Sequence, residues 1–191
     1  MRPSLEDLID NALARHVSGR VVWVALSGGL DSSLLLCVAA PLVRQCGVEL
    51  SLEVPLVIAH VEVIPAGKGI EAAARDARYQ AFAEHLCPGD RLWLAQHADD
   101  QAETLLLAAL RGSGLRGLAG MPPRREWRDL EIERPWLEST RSALEREAAR
   151  RGLDWCDDPS NADDTFDRNY LRQRIVPTLR HRWPRATEAL A

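Results

Sequence analysis

A loop rich in glycine and serine follows an apolar run near the start of the chain, and it constrains the fold more than any other segment. The apolar run at 21–26 is typical of a buried strand, and the leucines at 34–36 are typical of a following helix. Two glycines between them let the backbone approach an anion closely, and the start of the helix offers unpaired N–H groups. The sequence therefore predicts a strand, a phosphate-binding loop and a helix, with anion contacts from Ser27, Gly28, Gly29, Ser32 and Ser33.

The loop at 27–33 has neither of two common phosphate-binding patterns. It lacks the G-x-x-x-x-G-K-[ST] spacing with its lysine, and it lacks G-x-G-x-x-G. In the phosphate-binding interpretation, Asp31 would hold a magnesium ion that bridges the phosphates. The alternative is an ordinary glycine turn capped by serine.

Composition limits the classes of protein to which the chain can belong. Its 191 residues are 46% apolar and 27% charged, as in a soluble globular protein with one α/β domain and a small helical appendage. No stretch approaches the roughly 20 apolar residues of a membrane span, and the N-terminus lacks a signal-peptide core, so we expect a cytoplasmic protein without a membrane partner. The four cysteines form no C-x-x-C pair, which argues against a zinc or iron–sulfur site.

Strand-like and helix-like segments alternate along the chain. This alternation predicts an α/β fold with a doubly wound, mostly parallel sheet, helices on both faces and a helical C-terminal extension. We expect a first domain over 1–140 and a helical extension over 141–191 that belongs to the same catalytic region. Other expected elements are a helix from the Ser4 cap up to Gly19, strands between Leu50 and Val63, a hairpin at 122–134, and a basic helix from Asn169 to Trp183 interrupted at Pro177.

A second group of polar residues follows the short apolar run at 91–96. The group occupies the end of this expected strand and the first turn of the next helix, and it consists of His97, Asp99, Asp100 and Glu103. Ligands bind at the carboxyl edge of a parallel sheet, so this group and the loop at 27–33 are expected to face one crevice. The alternatives are that Asp99 or Asp100 caps the helix and that His97 is structural.

Positive charge is concentrated near the end of the chain. The formal net charge is −4, yet residues 168–185 contain six arginines and no acid. Such a basic patch binds a phosphate backbone, and the alternative is a solvated arginine-rich face.

The motifs together resemble known families. The loop at 27–33 resembles the SGGxDS loop of the N-type ATP pyrophosphatases, which hold the pyrophosphate of ATP while its α-phosphate is attacked. Later segments resemble, in the same order, those of the tRNA(Ile)-lysidine synthetases: GIEAAARDARY at 69–79, AQHADDQAET at 95–104, RGSG and GLAGMP within 111–122, RPWL at 134–137, WCDDPSN at 155–161 and RNYLR at 168–172. The resemblance covers most of residues 20–185.

The resemblance implies a ligase with a defined reaction. ATP, with Mg²⁺, adenylates the C2 oxygen of the wobble cytidine in tRNA(Ile) bearing a CAU anticodon, and the amine of free L-lysine then displaces AMP to give lysidine. The candidate catalytic residues are Asp31, His97, Asp99, Asp100 and Arg172, with Asp31 and Asp100 as candidate magnesium ligands. Flipping the cytidine out of the base stack costs little free energy in an anticodon loop.

The resemblance also implies residues that bind ATP and tRNA. The ATP-binding set adds Arg111 and Gly112 to the loop residues at 27–29 and 31–33. The tRNA-binding set is Arg75, Arg78, Arg168, Arg172 and Arg174. For Arg75 and Arg78 the alternative is pairing with Glu71 or Asp76 on a helix surface.

Two departures from the family pattern bear on activity. The segment 44–68 is shorter than its counterpart, so we expect one strand–helix unit, which commonly meets the adenine, to be absent or shortened. The sequence ends at Ala191, so we expect the C-terminal tRNA-binding domains of many members to be absent. Two other interpretations stay open. One is another ATP pyrophosphatase, such as a tRNA thiolase or an amidotransferase-linked synthetase, and the other is a nucleotide- or tRNA-binding module without catalysis.

Overall fold

Three short parallel strands form the part of the sheet that carries the candidate site. A computed structural model describes residues 3–15, 21–45, 56–64 and 69–191. The strands are β1 (Val22–Val24), β2 (Arg91–Trp93), β3 (Arg124–Trp127) and β4 (Leu130–Glu133). Their order is β1-β2-β4-β3, in which β1, β2 and β4 are parallel and β3 is antiparallel to β4. The last pair is the hairpin predicted at 122–134.

Helices connect the strands and extend the chain beyond them. In chain order they are α1 (Leu5–Leu13), α2 (Leu30–Gln45), α3 (Ile70–His85), α4 (Ala98–Leu110), α5 (Leu115–Leu118), α6 (Arg141–Arg151), α7 (Asp167–Tyr170), α8 (Val176–Arg182) and α9 (Ala186–Leu190). A short 3₁₀ helix spans Pro159–Ala162, and a π-helical turn spans Leu171–Ile175. Within the described ranges, no helix is both long and apolar enough to cross a bilayer.

The sheet is covered on both faces, which confirms the predicted α/β class. On one face, α1, α2 and α6 pack around the buried indoles of Trp93 and Trp136. On the other face, Tyr79 and Phe82 of α3 pack on a smaller cluster that includes Leu92. This alternation follows from the opposite directions of successive side chains in a strand, which place Leu92 and Trp93 on different faces.

The first helix begins where the sequence predicts and ends earlier. Ser4 and Asp7 form a reciprocal capping box, with hydrogen bonds of 2.8 and 3.0 Å. The prediction that this helix extends up to Gly19 is wrong for the residues directly after Leu13, because the helix ends at Leu13. The chain then turns, and the side chain of Arg15 donates to the buried carboxylate of Glu133. Residues 16–20 lie outside the described ranges.

The prediction of strands between Leu50 and Val63 is wrong for the part that the structure describes. Residues 50–55 lie outside that part, and residues 56–64 form no strand. Leu56, Ile58 and Ile64 are 65–69% exposed. A β-rich composition favours extended backbone, but a strand also needs a partner edge for its N–H and C=O groups. In the described structure, this segment has no such partner, and β1 pairs with β2 alone.

The basic helix near the C-terminus is continuous, so the predicted interruption at Pro177 is wrong. The helix α7, the π-helical turn and α8 follow one another without a gap from Asp167 to Arg182. Pro177 lies in the first turn of α8, immediately after the wider π-helical turn. Because proline has no N–H to donate into the preceding turn, it is tolerated here where the hydrogen-bonding pattern changes from π to α.

Candidate active site

The loop after β1 is shaped by hydrogen bonds within its own sequence. The hydroxyl of Ser32 donates to the carbonyl of Gly29 at 3.2 Å and accepts from the N–H of Ser27 at 3.1 Å. Gly28 has a φ of +80°, which a residue with a Cβ adopts only under strain. The carbonyl of Gly28 accepts from the N–H of Cys156 at 3.1 Å, so the motif at 155–161 lies against this loop. Ser32 thus holds the loop in shape, and its hydroxyl is engaged in doing so.

The loop and the second polar group meet at the imidazole of His97. His97 is the N-cap of α4 and is 1% exposed. Its Nε2 lies 3.5 Å from Oδ2 of Asp31 and 3.5 Å from Oδ2 of Asp100, and its Nδ1 lies 3.7 Å from Oδ2 of Asp99. The carboxyl ends of β1 and β2 are adjacent, which is why residues from two distant motifs surround one ring.

The charges around His97 set its protonation. Burial alone would lower the pKa of His97, but Asp31, Asp100 and Asp99 together hold that pKa above its ordinary value of 6.5. Burial alone would likewise raise the pKa of Asp31, but His97, Arg141 and Arg172 hold it below its ordinary value of 3.8. The geometry therefore favours an imidazolium beside ionised carboxylates.

Asp31 is the carboxylate of the site with an unused oxygen. Its Oδ2 lies near His97 and 3.7 Å from a guanidinium nitrogen of Arg141. Its Oδ1 is buried and has no hydrogen-bond partner in the structure. A buried carboxylate oxygen without a partner is costly, so this atom suits a ligand that supplies a cation or a donor.

Asp99 and Asp100, by contrast, are both engaged by the protein. The oxygens of Asp99 accept from the N–H of Arg141 at 2.8 Å and from the side chain of Arg180. The oxygens of Asp100 accept from the N–H of His97 at 3.1 Å and from Arg172 at 3.2 Å. Asp99 therefore ties α4 to α6 and α8, and Asp100 caps α4 while it holds Arg172.

Glu103 lies in the site, although it was not among the candidate catalytic or ligand-binding residues. The sequence did place it in the polar group with His97, Asp99 and Asp100. It lies one turn after Asp99 and Asp100 on α4, and its side chain is 1% exposed. It accepts two hydrogen bonds from Arg172, at 2.7 and 2.9 Å, and one from Arg168 at 2.8 Å. Arg172 belongs to the π-helical turn, a local widening that is frequent at functional sites.

Negative and positive side chains in the site balance each other, and they come from several helices of the fold. Burial alone would lower the pKa of Arg172, but Glu103, Asp100 and Asp31 hold it above its ordinary value. Arg141 and Arg180 also pair with site carboxylates, and no local pattern in the sequence marked them. The cluster comprises four carboxylates (Asp31, Asp99, Asp100, Glu103), four guanidiniums (Arg141, Arg168, Arg172, Arg180) and the imidazole of His97. With His97 protonated it carries no excess negative charge and can accept an anionic ligand.

The other predicted site residues lie at the margin of this cluster or away from it. Arg111 donates to Asp167 at 3.0 Å on the surface, and Gly112 follows with a φ of +66°. Arg174 pairs with Asp164 at 3.2 Å. Arg75 and Arg78 lie on α3, where Arg75 contacts the ring of Tyr79 and Arg78 is exposed.

Gln101 fixes the loop that follows α5. Its amide makes two hydrogen bonds to the backbone of Met121, at 2.8 and 2.9 Å. A Cβ on Gly120, which has a φ of +68°, would lie only 2.8 Å from this amide. The segment GLAGMP at 117–122 therefore packs against Gln101, near the start of α4.

Among the described residues, no group of three or more His, Cys, Asp or Glu side chains is arranged to hold a metal ion. Magnesium often uses only one or two protein carboxylates and takes its other ligands from water and phosphates. The unused Oδ1 of Asp31 fits this pattern. Asp100 fits it less well because both of its oxygens are engaged.

Comparison with known proteins identifies a family for this chain. The family described as PP-loop domain matches residues 43–179. The chain belongs to this PP-loop family. The family described as asparagine synthase matches residues 4–78.

Several curated relatives of the chain share one name within the PP-loop family. The chain is 44% identical to the tRNA(Ile)-lysidine synthase of Shigella flexneri over 92% of its own length and 46% of that protein. The identity is also 44% to the enzymes of that name from Pseudomonas putida (88% of this chain, 45% of that protein) and Xanthomonas axonopodis (89% and 44%). These matches confirm the resemblance to that family. The chain spans about half the length of these relatives.

A solved structure shares the fold. The U34-tRNA thiolase NcsA from Methanococcus maripaludis, described with its [4Fe-4S] cluster, superposes with a TM-score of 0.61 at 14% identity, covering 97% of this chain and 74% of that one. This likeness concerns the fold. In the described part of this chain, Cys37, Cys87 and Cys156 are free thiols.

Proposed function

We propose that this chain carries out the ATP-dependent step of lysidine formation. ATP adenylates the C2 oxygen of the wobble cytidine in tRNA(Ile) with a CAU anticodon, and the amine of L-lysine then displaces AMP. The C2 oxygen of cytosine is a poor leaving group and AMP is a good one, so adenylation makes the substitution possible. The products are lysidine in tRNA, AMP and pyrophosphate. The 44% identity to tRNA(Ile)-lysidine synthases supports this assignment.

The observation that carries the proposal is the contact between the two motifs at the carboxyl edge of the sheet. The carboxylate of Asp31, from the glycine–serine loop, lies 3.5 Å from His97, from the second motif. A site that transfers AMP must hold the triphosphate and the nucleophile in line, and most of its effect comes from positioning and electrostatics. Adjacent parallel strands supply such a fixed crevice.

In this proposal Asp31 holds Mg²⁺ through its unused oxygen, Oδ1. The magnesium ion would neutralise charge on the β- and γ-phosphates as pyrophosphate departs. The glycines at 28 and 29 let the backbone approach those phosphates, and the hydroxyl of Ser33 provides a further donor, whereas the hydroxyl of Ser27 lies 3.1 Å from that of Ser32. Ser32 shapes the loop rather than contacting the ligand.

His97, Asp100 and Arg172 act as positioning residues in this scheme. The imidazolium of His97 lies between Asp31 and Asp100 and reduces the repulsion between them. Asp100 and Glu103 in turn hold Arg172, whose side chain is 29% exposed. Arg172 can then contribute positive charge near the reacting phosphates from a fixed position.

The test is a reconstituted reaction with the whole chain. Purified protein is incubated with ATP, Mg²⁺, L-lysine and a tRNA(Ile) transcript that carries CAU, and AMP, pyrophosphate and modified tRNA are measured. We expect AMP formation that requires the tRNA, and lysidine that requires lysine. The full-length relative from Pseudomonas putida serves as the positive control. Absence of tRNA-dependent AMP, under conditions where that relative is active, would overturn the proposal.

A second candidate is a nucleotide- or tRNA-binding module without catalysis. The observation that favours it is the segment 56–64, which is apolar, exposed and unpaired in the described structure. In many ATP pyrophosphatases the strand–helix unit at this position meets the adenine. Calorimetry separates the candidates: binding of tRNA without binding of ATP favours the module, and binding of both favours the enzyme.

A further inference from the structure

A cleft lies between α3 and the β3–β4 hairpin, apart from the cluster around His97. Its volume is about 540 Å³. Three arginines and two aromatic residues line most of it: Arg75, Arg125, Arg128, Tyr79 and Trp127. The remaining lining residues are Ala77, Gln80 and one acidic residue, Asp76. Such a composition, with positive charge and few acids, is typical of a site for phosphate groups.

The arginines of the cleft are held by aromatic rings. The guanidinium carbons of Arg75 and Arg125 lie 5.6 and 5.1 Å from the centre of the Tyr79 ring, and Arg128 lies 5.0 Å from Trp127. The two rings meet edge to face at 5.1 Å. A guanidinium fixed against a ring loses less entropy on binding, and its in-plane N–H groups stay directed away from the ring.

One of these arginines has a donor without a partner. The Nε of Arg125 is buried and makes no hydrogen bond in the structure. A buried N–H without an acceptor is unfavourable, and a phosphate oxygen would satisfy it. This donor is independent of the charge count and points to an anionic ligand.

The cleft is connected to the active site through Arg134. The buried side chain of Arg134 donates to Gln96, the residue before His97, and to the carbonyl of Pro122 at 2.9 Å. Burial holds the pKa of Arg134 below its ordinary value; the nearby Tyr79 of the cleft raises that pKa, and the cations of Arg125 and Arg75 lower it. An anion in the cleft would relieve this repulsion between guanidiniums.

We propose that this cleft binds the sugar–phosphate backbone of the tRNA beside the nucleotide that enters the crevice. The identity of the RNA rests on the proposed function. The guanidiniums of Arg75, Arg125 and Arg128 already contact these rings, and their donors match phosphate oxygens, so the proposed contact is to phosphates rather than to stacked bases. Binding here is therefore independent of base sequence and adds affinity and orientation.

The experiment measures RNA binding by the whole chain. The probe is a fluorescent RNA hairpin with the CAU anticodon loop, titrated by anisotropy between 50 and 200 mM KCl, values chosen to resolve the salt dependence. Arg125→Gln and Arg128→Gln are compared with wild type, and Arg146→Gln, an exposed change on α6 across the sheet, is the control. Melting curves verify folding, and Arg128→Gln alone carries the test if Arg125→Gln fails to fold, since Arg128 is exposed.

We expect each cleft variant to lose roughly five- to tenfold in affinity near 0.1 M salt and to reduce the salt slope by about 0.7–0.9 per lost phosphate contact. The loss should be the same for a hairpin with a different loop sequence, and ATP binding measured by calorimetry should not change. Unchanged RNA affinity in both variants would overturn the cleft proposal, and so would an equal loss of ATP affinity, which would indicate a mononucleotide site.

These outcomes are separable from the fate of the proposed function. Weakened RNA binding in the variants, together with no tRNA-dependent AMP from wild type, supports the cleft and overturns the ligase assignment. AMP formation by wild type with unchanged RNA binding in both variants supports the ligase and overturns the cleft.

Discussion

The imidazole Nε2 of His97 lies 3.5 Å from the carboxylate Oδ2 of Asp31, and this contact joins the glycine–serine loop to the N-cap of α4. Asp31 lies in the first turn of α2, after β1, and His97 caps α4, after β2, so the adjacency of these two parallel strands brings the residues together. Because Asp31 also has a buried oxygen without a partner, we propose that Mg²⁺ and the triphosphate bind beside this pair.

Replacement of Asp31 tests the site directly. Asp31→Asn removes the charge and keeps the shape, so we expect tRNA-dependent AMP formation to fall by about 10²- to 10³-fold, the size typical of a lost transition-state contact. Because the lowered pKa of Asp31 means that its charge also stabilises the folded chain, melting curves verify that the variant remains folded. Asp10→Asn, an exposed change on α1, is the matched control and should retain full activity. Turnover near the wild-type rate in Asp31→Asn would remove this carboxylate from the mechanism.

Replacement of Glu103 should act on stability as well as on activity. Glu103→Gln leaves the guanidiniums of Arg168 and Arg172 without their buried carboxylate, a change that typically costs about 3–5 kcal/mol. The free energy of unfolding is measured by urea denaturation. Glu84→Gln, an exposed change on α3, should alter it by less than about 0.5 kcal/mol. Equal stabilities for the two variants would show that Glu103 does not hold the arginines.

The protonation of His97 should make stability depend on pH. Its pKa is higher in the folded chain than its ordinary value of 6.5, so its contribution is full below that pH and is lost as pH rises through the folded pKa. We therefore expect the difference in unfolding free energy between wild type and His97→Asn to shrink as pH rises above 6.5. NMR titration of the imidazole checks the direction. A midpoint below 6.5 would contradict the arrangement described for the three carboxylates.

Gly28 and Gly114 form a matched pair for the shape of the phosphate loop. A Cβ on either residue meets nothing within 4 Å, but Gly28 has a φ of +80° and Gly114 a φ of −71°. Gly28→Ala should cost about 1–2 kcal/mol through backbone strain alone. Gly114→Ala should stay within about 0.5 kcal/mol of wild type. Thermal or urea unfolding measures both, and equal effects would mean that the loop does not need the left-handed conformation.

Local signals in the sequence specified the features that depend on near neighbours. The Ser4 cap predicted the start of α1, residues 122–134 predicted a hairpin, and both occur. These features depend on backbone geometry within a few residues, so residue type and spacing are sufficient to predict them. The loop after β1 belongs to the same class, because Gly28 and Ser32 act within one turn of chain.

The sequence was less informative wherever a partner lies far along the chain. Apolar composition predicted strands near 56–64, but strand formation requires a neighbouring edge, which this segment lacks among the described residues. Pro177 predicted a break, but the π-helical turn before it accommodates the ring.

By itself the sequence determined the strand–loop–helix order around the glycine–serine loop, the α/β class and the family motifs, because each is encoded in contiguous residues. Only the tertiary structure decided what each acidic residue does. In the sequence, Asp31, Asp99 and Asp100 are alike as acidic residues near the end of a predicted strand. In the structure, Asp99 binds residues of α6 and α8, and Asp100 binds Arg172. Of the three, Asp31 alone has a buried oxygen without a partner. The reason is physical: a carboxylate's role depends on the charges and donors packed around it, and the sheet and helices bring these from distant positions.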